Sequence, residues 1–200
     1  MKIAVTQRVI TDPNTHERRD ALDQRWSALL AQAGLIALPV PNNPSLLEAF
    51  LAETQPGGIL LTGGNDLAAL GGDAPERDAV ESALLRYALD RDLPLLGVCR
   101  GMQMIQAHYG VPLKRVQGHV CPRQTIRFAD GDITVNSFHN FGATETVAAL
   151  LVTGSAEDGV IKAIRSPRGR LHGIMWHPER IEPPRPEDIA LLHDIYGRAP

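Results

Sequence analysis

Cysteine is scarce in this chain: only Cys99 and Cys121 occur among 200 residues. Two thiols cannot build a disulfide scaffold, and in a reducing compartment each stands free. Long apolar runs are also missing. None approaches the ~18 residues that a membrane helix requires, so a spanning protein is excluded and no membrane partner is expected. Nor is there an excess of charge of one sign, because 20 Lys+Arg face 23 Asp+Glu for a formal net charge of −3. With no basic block to neutralise phosphates, nucleic acid is not an expected partner. A secretory leader is not evident, since MKIAVTQRV places Gln7 and Arg8 directly after a short apolar stretch; the expectation is a cytoplasmic protein. Internal repeats and low-complexity tracts are absent too.

What remains is globular in texture, with 44% hydrophobic and 22% charged residues. A single domain over 1–200 is expected, able to bury roughly 70% of the unfolded chain's surface. Apolar Ile3 to Thr6 predicts a strand, followed by a polar loop from Gln7 to Asp20 that is long for such a connection. Leu22, Trp26, Leu29, Leu30 and Ala33 recur at helical spacing, with Asp20 as the expected cap and Gly34 as the stop. LIALPV reads as a strand, Pro44 to Glu53 as a helix and GGILLTGG as a third strand; Val80, Leu84, Tyr87 and Ala88 mark another helix. Leu93 to Val98 reads as a strand buried on both faces, and a helix over Arg100 to Tyr109 follows. Past Gly110, the segments TIRFA, ITVNSF, VAALLVTG, VIKAIRS and LHGIMWH suit antiparallel or mixed strands. IEPPRPED reads as a rigid connector before a last helix, Ile189 to Tyr196. The fold class is therefore α/β in three layers, with a mostly parallel central sheet and a mixed second half. Ligands of such sheets gather at the carboxyl ends of the strands.

Three segments at those ends can carry chemistry. GVCRG, Gly97 to Gly101, has the G-x-nucleophile-x-G form of a tight strand-to-helix turn that exposes its central side chain, here Cys99. A thiol at a helix N-terminus also meets unpaired amides and the positive end of the dipole, which favour thiolate. The competing reading is a small buried residue closing a core strand. In WHPE, His177 and Glu179 are two residues apart in a segment biased to extended backbone by Pro178, so both can face one cleft. A carboxylate on one imidazole nitrogen leaves the other free to take a thiol proton; a surface histidine beside a solvated glutamate is the alternative. TGGND, Thr62 to Asp66, follows the third strand, and Gly64 can bring its amide to a ligand beside the Arg100 amide. Asn65 in the same turn is a further substrate-contact candidate, and an ordinary glycine turn is the rival reading. His119 and Cys121 have no second ligand pair nearby, so no metal is assigned and no cofactor is expected.

GVCRGMQ, LLTGGND and GIMWHPE, in this order, resemble the class I glutamine amidotransferase superfamily over nearly the whole chain. The resemblance implies a flavodoxin-like domain in which Cys99, His177 and Glu179 form a triad acting on a γ-glutamyl carbonyl. It also implies oxyanion amides at Gly64 and Arg100, and a glutamyl-holding role for Gln103. Arg100 straight after the cysteine, with VNSFHN at 135–140, looks more like the γ-glutamyl-γ-aminobutyrate hydrolase branch of peptidase C26 type. Asn140 stands where that branch has a second histidine, and 67–77 is compressed. The short chain and HERRDALDQRW also resemble capsule-associated hydrolases that remove glutamate from a γ-glutamyl-CDP-amidate.

The expectation is a cysteine hydrolase that releases glutamate from a small-molecule γ-glutamyl amide through a glutamyl thioester. Arg18 and Arg19, with Arg8 and His16 in the same loop, are candidates to pair with a carboxylate or pyrophosphate, against a solvated loop as the alternative. His139 is a candidate for shaping the pocket. Two rivals stay open: a glutaminase that hands ammonia to a separate synthase, and a non-catalytic binder of the same fold. A homodimer is a further open expectation.

Overall fold

The computed structural model describes residues 1–197, so the last three positions of the expected domain lie outside the described residues. In chain order the elements begin with β1 (Lys2–Val5), β2 (Arg8–Thr11), β3 (Arg18–Ala21), α1 (Gln24–Gln32), β4 (Ile36–Pro39), α2 (Leu47–Thr54) and β5 (Gly58–Leu61). Next come α3 (Pro75–Asp90), β6 (Leu95–Val98), α4 (Arg100–His108), β7 (Lys114–Arg115), β8 (Val120–Phe128) and β9 (Gly131–Phe138). The chain continues through β10 (Phe141–Gly142), β11 (Leu151–Ser155), β12 (Ile161–Arg165), β13 (Leu171–Ile174) and α5 (Pro186–Tyr196).

A nine-stranded sheet runs β4-β1-β5-β6-β13-β12-β11-β8-β9. Its first four pairings are parallel, and the four from β13 through β12, β11 and β8 to β9 are antiparallel. Strand periodicity makes the layers. Ile3 and Val5 pack with Trp26 and Leu30 of α1 and Leu192 of α5, whereas Ala4 between them faces Leu51, Leu84 and Ile105 of α2, α3 and α4. Every residue of β5 and β6 is buried, which is why GILL and LLGV read as continuous apolar runs. Beyond these strands, Thr62 N–H donates to Thr6 Oγ1 (2.9 Å) and the Thr62 hydroxyl to the Thr6 carbonyl (2.8 Å), tying two of the strand ends together.

Four local expectations are corrected. The stretch from Gln7 to Asp20 contains a hairpin of β2 and β3, with Arg8 opposite Ala21, turned by Asp12, whose carboxylate accepts from the amides of Asn14 and Thr15. Of this ribbon only Val9 is buried, so no alternation marked it as strand. Helix α1 is capped by Asp23, which accepts from Arg25 N–H at 3.0 Å; Asp20 instead accepts from the amide and side chain of Asn42. The segment from Pro44 opens as one 3-10 turn before α2 begins. In VAALLVTG only Leu151 onward is strand, because Val147 to Leu150 close a turn through Leu150 N–H and the Val147 carbonyl.

Candidate active site

Cys99 sits between β6 and α4 with φ +53° and ψ −104°, a left-side conformation that costs a non-glycine residue of order 1–3 kcal/mol. Its N–H donates to the Ile174 carbonyl at 2.7 Å, tying the turn to β13. The flanking glycines are required by contact. A Cβ on Gly97 would lie 2.6 Å from the Gly101 backbone, and one on Gly101 would lie 2.1 Å from the Leu61 carbonyl oxygen. The turn therefore packs against β5 only because both side chains are absent.

His177 follows β13 and is 1% exposed. Asn136 of β9 clasps its backbone, accepting from His177 N–H at 2.8 Å and donating to its carbonyl at 2.9 Å. The imidazole Nδ1 meets Glu179 Oε1 at 2.8 Å. Glu179 lies on a 3-10 turn, Pro178–Arg180, rather than on extended backbone, so the turn and not strand alternation brings the two together. Burial opposes charge on His177, but the hydrogen bonds and negative charge of Cys99 and Glu179 outweigh it and raise its pKa from 6.5 to about 9. Gly63 makes room for the ring, since a Cβ there would lie 2.6 Å from His177 Cε1 and 3.6 Å from Cys99 Cβ. Cys99 Sγ also lies 3.8 Å from the Phe138 carbonyl.

An ionic network not visible as a motif holds the glycine turn. Arg77, fully buried in α3, donates to the carbonyls of Thr62 (2.8 Å), Gly63 (3.1 Å) and Gly64. Because a trans peptide points its N–H opposite its C=O, this turns the Gly64 amide away from Arg77. Arg77 Nε also meets Glu81 at 2.9 Å, and Glu81 together with Asp78 binds the Arg100 guanidinium. Burial lowers the Arg77 pKa to about 10, so the group stays charged at neutral pH; burial works against the Glu81 carboxylate, yet Arg100 and Arg77 hold its pKa below the ordinary value.

Other candidates have different partners from those expected. Arg18 pairs with Glu76 and donates to the Asp73 carbonyl, and Arg19 pairs with Glu17 and Asp12, so both brace the exposed hairpin. Of that loop's basic residues it is Arg8 that reaches the site, lining a small recess with Thr62, Gly63, Glu179 and Arg180. Asn65 accepts from Val9 N–H (2.9 Å) and donates to its carbonyl (3.0 Å), fastening the hairpin to the turn. Gln103 donates its amide nitrogen to the Phe141 carbonyl at 2.9 Å. His139 is buried, donates from Nδ1 to the same carbonyl and accepts from Lys162 Nζ at 2.6 Å, so it belongs to a buried network rather than to the pocket wall. Burial and then Lys162 depress its pKa to about 3, and burial lowers that of Lys162 to about 8. The Lys162 ammonium also donates to Ser137 Oγ at 2.9 Å. Sequence reading singled out neither Arg77 nor Lys162, since charged residues at core positions give no apolar signal; only the Arg77–Glu81 spacing of four along α3 hinted at a pair. Among the described residues no group of three or more His, Cys, Asp or Glu could hold a metal, and no helix is long and apolar enough to cross a membrane.

The α/β fold, with its large mixed sheet between helical layers, is that of a glutamine amidotransferase-like domain. A Thermoplasma acidophilum protein described as a GMP synthase subunit superposes with a TM-score of 0.73 at 17% identity, covering 98% of this chain and 92% of that one. The chain belongs to the peptidase C26 family, whose model matches residues 3–121 and 113–179. It is 30% identical over 183 residues to a γ-glutamyl-CDP-amidate hydrolase of Campylobacter jejuni, with 90% of each chain covered. It is also 26% identical to a γ-glutamyl-γ-aminobutyrate hydrolase of Escherichia coli O157:H7, over 79% of this chain and 78% of that one.

Proposed function

We propose that the protein cleaves a γ-glutamyl amide with Cys99 as nucleophile, His177 as proton carrier and Glu179 as its electrostatic partner. The observation that carries this reading is the 2.8 Å His177–Glu179 contact beside a cysteine held on a strained strand-to-helix turn. Membership of a family with γ-glutamyl hydrolase relatives supports it.

With its pKa raised to about 9, the His177 imidazole is a strong enough base to take the Cys99 proton and leave the thiolate, the reactive form. The thiolate adds to the γ-carbonyl, and the amides of Gly64 and Arg100 hydrogen-bond the oxyanion; losing one such donor typically costs ~100–1,000-fold. When the tetrahedral adduct collapses, the C–N bond breaks and the nitrogen takes the imidazolium proton. Neutral His177 then draws a proton from water, the hydroxide attacks the glutamyl thioester, and glutamate and the Cys99 thiolate are released. Glu179 keeps its charge throughout, fixing the tautomer and the ring plane. The C. jejuni relative's name supports a γ-glutamyl-CDP-amidate as one substrate to test.

The test is intact-protein mass spectrometry after exposure to a glutamine-analogue electrophile, alongside glutamate release from a γ-glutamyl amide panel. A single adduct on Cys99, absent in Cys99→Ala, with glutamate release by the isolated chain, is expected. Labelling without release would replace the hydrolase reading with a partner-dependent glutaminase, and no labelling would leave a binding module.

A further inference from the structure

Lys162 of β12 is a charged group that the chemistry above does not use. It is 1% exposed, and lysine is almost never buried this deeply without a partner of opposite charge. Among the described residues its ammonium hydrogen-bonds only neutral groups, His139 Nε2 at 2.6 Å and Ser137 Oγ at 2.9 Å. The Asp158 carboxylate attracts it from a distance and bonds instead to His119 Nε2 at 2.9 Å. Taking a charge out of water on such terms works against stability, so packing alone does not account for a cation at this position.

What an ammonium cannot do explains its neighbours. It donates and never accepts, so each group it bonds must turn an acceptor toward it. His139 therefore presents a bare Nε2 and carries its proton on Nδ1, which donates to the Phe141 carbonyl at 2.9 Å. Ser137 likewise accepts through Oγ and gives its own proton to the His119 carbonyl at 2.8 Å, an oxygen that the His139 N–H also reaches at 3.1 Å. A serine or glutamine in the place of Lys162 could take either role and would leave both directions open. Burial and then Lys162 hold the His139 pKa at about 3, and that of Lys162 lies at about 8, so at neutral pH a cation faces a neutral imidazole.

The segment fixed in this way, 138–141, is one that meets the nucleophile, since the Phe138 carbonyl lies 3.8 Å from Cys99 Sγ. At its other end the Phe141 carbonyl takes a second donor, Gln103 Nε2 at 2.9 Å, which fills both of its lone pairs. Gln103 stands one turn beyond Cys99 on α4, and its N–H donates to the Cys99 carbonyl at 3.0 Å. Lys162, His139, Phe141, Gln103 and Cys99 thus form an unbroken chain of contacts from β12 to the nucleophile. The main chain of Lys162 braces the other side of the site, because its carbonyl accepts from Met175 N–H at 2.9 Å, two residues ahead of His177. We propose that Lys162 is a positioning residue: it sets the direction of the hydrogen bonds behind residues 138–141 and so holds that segment as the wall against which the acyl half of the substrate is bound at Cys99. The assignment rests on the γ-glutamyl hydrolase reading and adds the group that shapes its glutamyl side. No bond is made or broken on Lys162 itself.

The test separates the two halves of the substrate. KM and kcat are measured for the parent and for Lys162→Gln on two γ-glutamyl amides that differ in their amine, and glutamate is titrated by calorimetry into Cys99→Ala with and without Lys162→Gln. Glutamine keeps N–H groups for His139 and Ser137, and thermal unfolding checks that the fold is retained. The expected result is a KM raised by about 10-fold on both amides, the scale of one hydrogen bond, with kcat little changed and glutamate binding weakened by a similar factor. A loss confined to kcat, or a KM raised on one amide alone with glutamate affinity unchanged, would overturn the assignment while leaving the hydrolase intact. The parent offers a check that needs no altered lysine: nitrogen NMR of the imidazoles, assigned with His139→Gln, should show His139 neutral at pH 7 with its proton on Nδ1. A His139 that is charged at that pH, or protonated on Nε2, would overturn the chain of donors whatever the variants do. Glutamate binding that depends on Lys162, with no hydrolysis of either amide, would uphold the positioning role and remove the hydrolase reading.

Discussion

Replacing Glu179 by Gln isolates the electrostatic part of the proposed chemistry, because the amide oxygen can still accept from His177 Nδ1 while the charge is gone. In the parent protein, burial works against an imidazolium at His177, and Cys99 and Glu179 overcome it to bring the pKa to about 9. An opposite charge in direct contact is worth about 1–3 pH units of that elevation, so the variant's His177 should lose its proton that much earlier. At 1.36 kcal/mol per pH unit this is ~1.4–4 kcal/mol of imidazolium stabilisation, or ~10–1,000-fold in the ion pair at a fixed pH. The assay is kcat/KM for a γ-glutamyl amide across the pH range, with thermal unfolding as a check that the fold is kept. The parent should show an alkaline limb near pH 9, and Glu179→Gln a limb displaced toward neutrality with a correspondingly lower rate. A limb that stays in place, at whatever rate, would refute the claim that Glu179 supports the protonated imidazole.

Other perturbations follow from the same geometry. Arg77→Met removes the donor that holds the carbonyls of Thr62, Gly63 and Gly64 and strips Glu81 of one partner; breaking such a buried pair costs ~3–5 kcal/mol. Chemical denaturation should read that loss, and kcat should fall further than KM rises as the Gly64 amide loses its orientation. Gly101→Ala puts a Cβ 2.1 Å from the Leu61 carbonyl oxygen, so α4 must move off β5; destabilisation by ~1–3 kcal/mol or more and loss of Cys99 labelling are expected, and wild-type labelling would contradict the packing. The folded pKa of His177 is raised above 6.5, so its contribution to stability is full below that value and is lost as pH climbs through about 9. His139 acts oppositely: its folded pKa near 3 makes stability fall as pH drops below 6.5. Unfolding free energy measured against pH should therefore lose its decline above pH 6.5 in His177→Gln and weaken its acidic decline in His139→Gln. Lys162, held at about 8 against 10.5, adds a stabilising slope above pH 8, so the interval from 6.5 to 8 is the cleanest one to read.

The parallel half of the sheet was legible because its strands are buried on both faces and announce themselves as apolar runs, GILL and LLGV, each followed by glycine-rich turns. Cys99 was legible for the same reason: the glycines that its turn needs are fixed by backbone contacts with Leu61 and Gly101. The β2–β3 hairpin was not, since its register depends on Asp12 and Asn65 side chains meeting backbone rather than on a buried face. For Arg18 and Arg19, sequence order does not reveal that Glu76 and Glu17 lie within reach as ion-pair partners. Arg77, Glu81 and Lys162 were missed most fully. Each is charged and buried, a combination that spacing and hydropathy count as surface.

The division of the sheet has a consequence for how relatives of this protein can diverge. Cys99, the Gly64 turn and the Arg77–Glu81–Arg100 lattice all hang from the parallel strands and α3, and Glu81 grips both arginines at once. A change at any of the three disturbs the other two, so drift there must be concerted. The antiparallel strand β9 meets none of that lattice, yet it touches the reacting residues directly, through Asn136 on the His177 backbone and Phe138 beside Cys99 and His177. Stepwise change is thus easiest at the exposed positions of β8, while β9 must vary in step with the His177 segment that it holds.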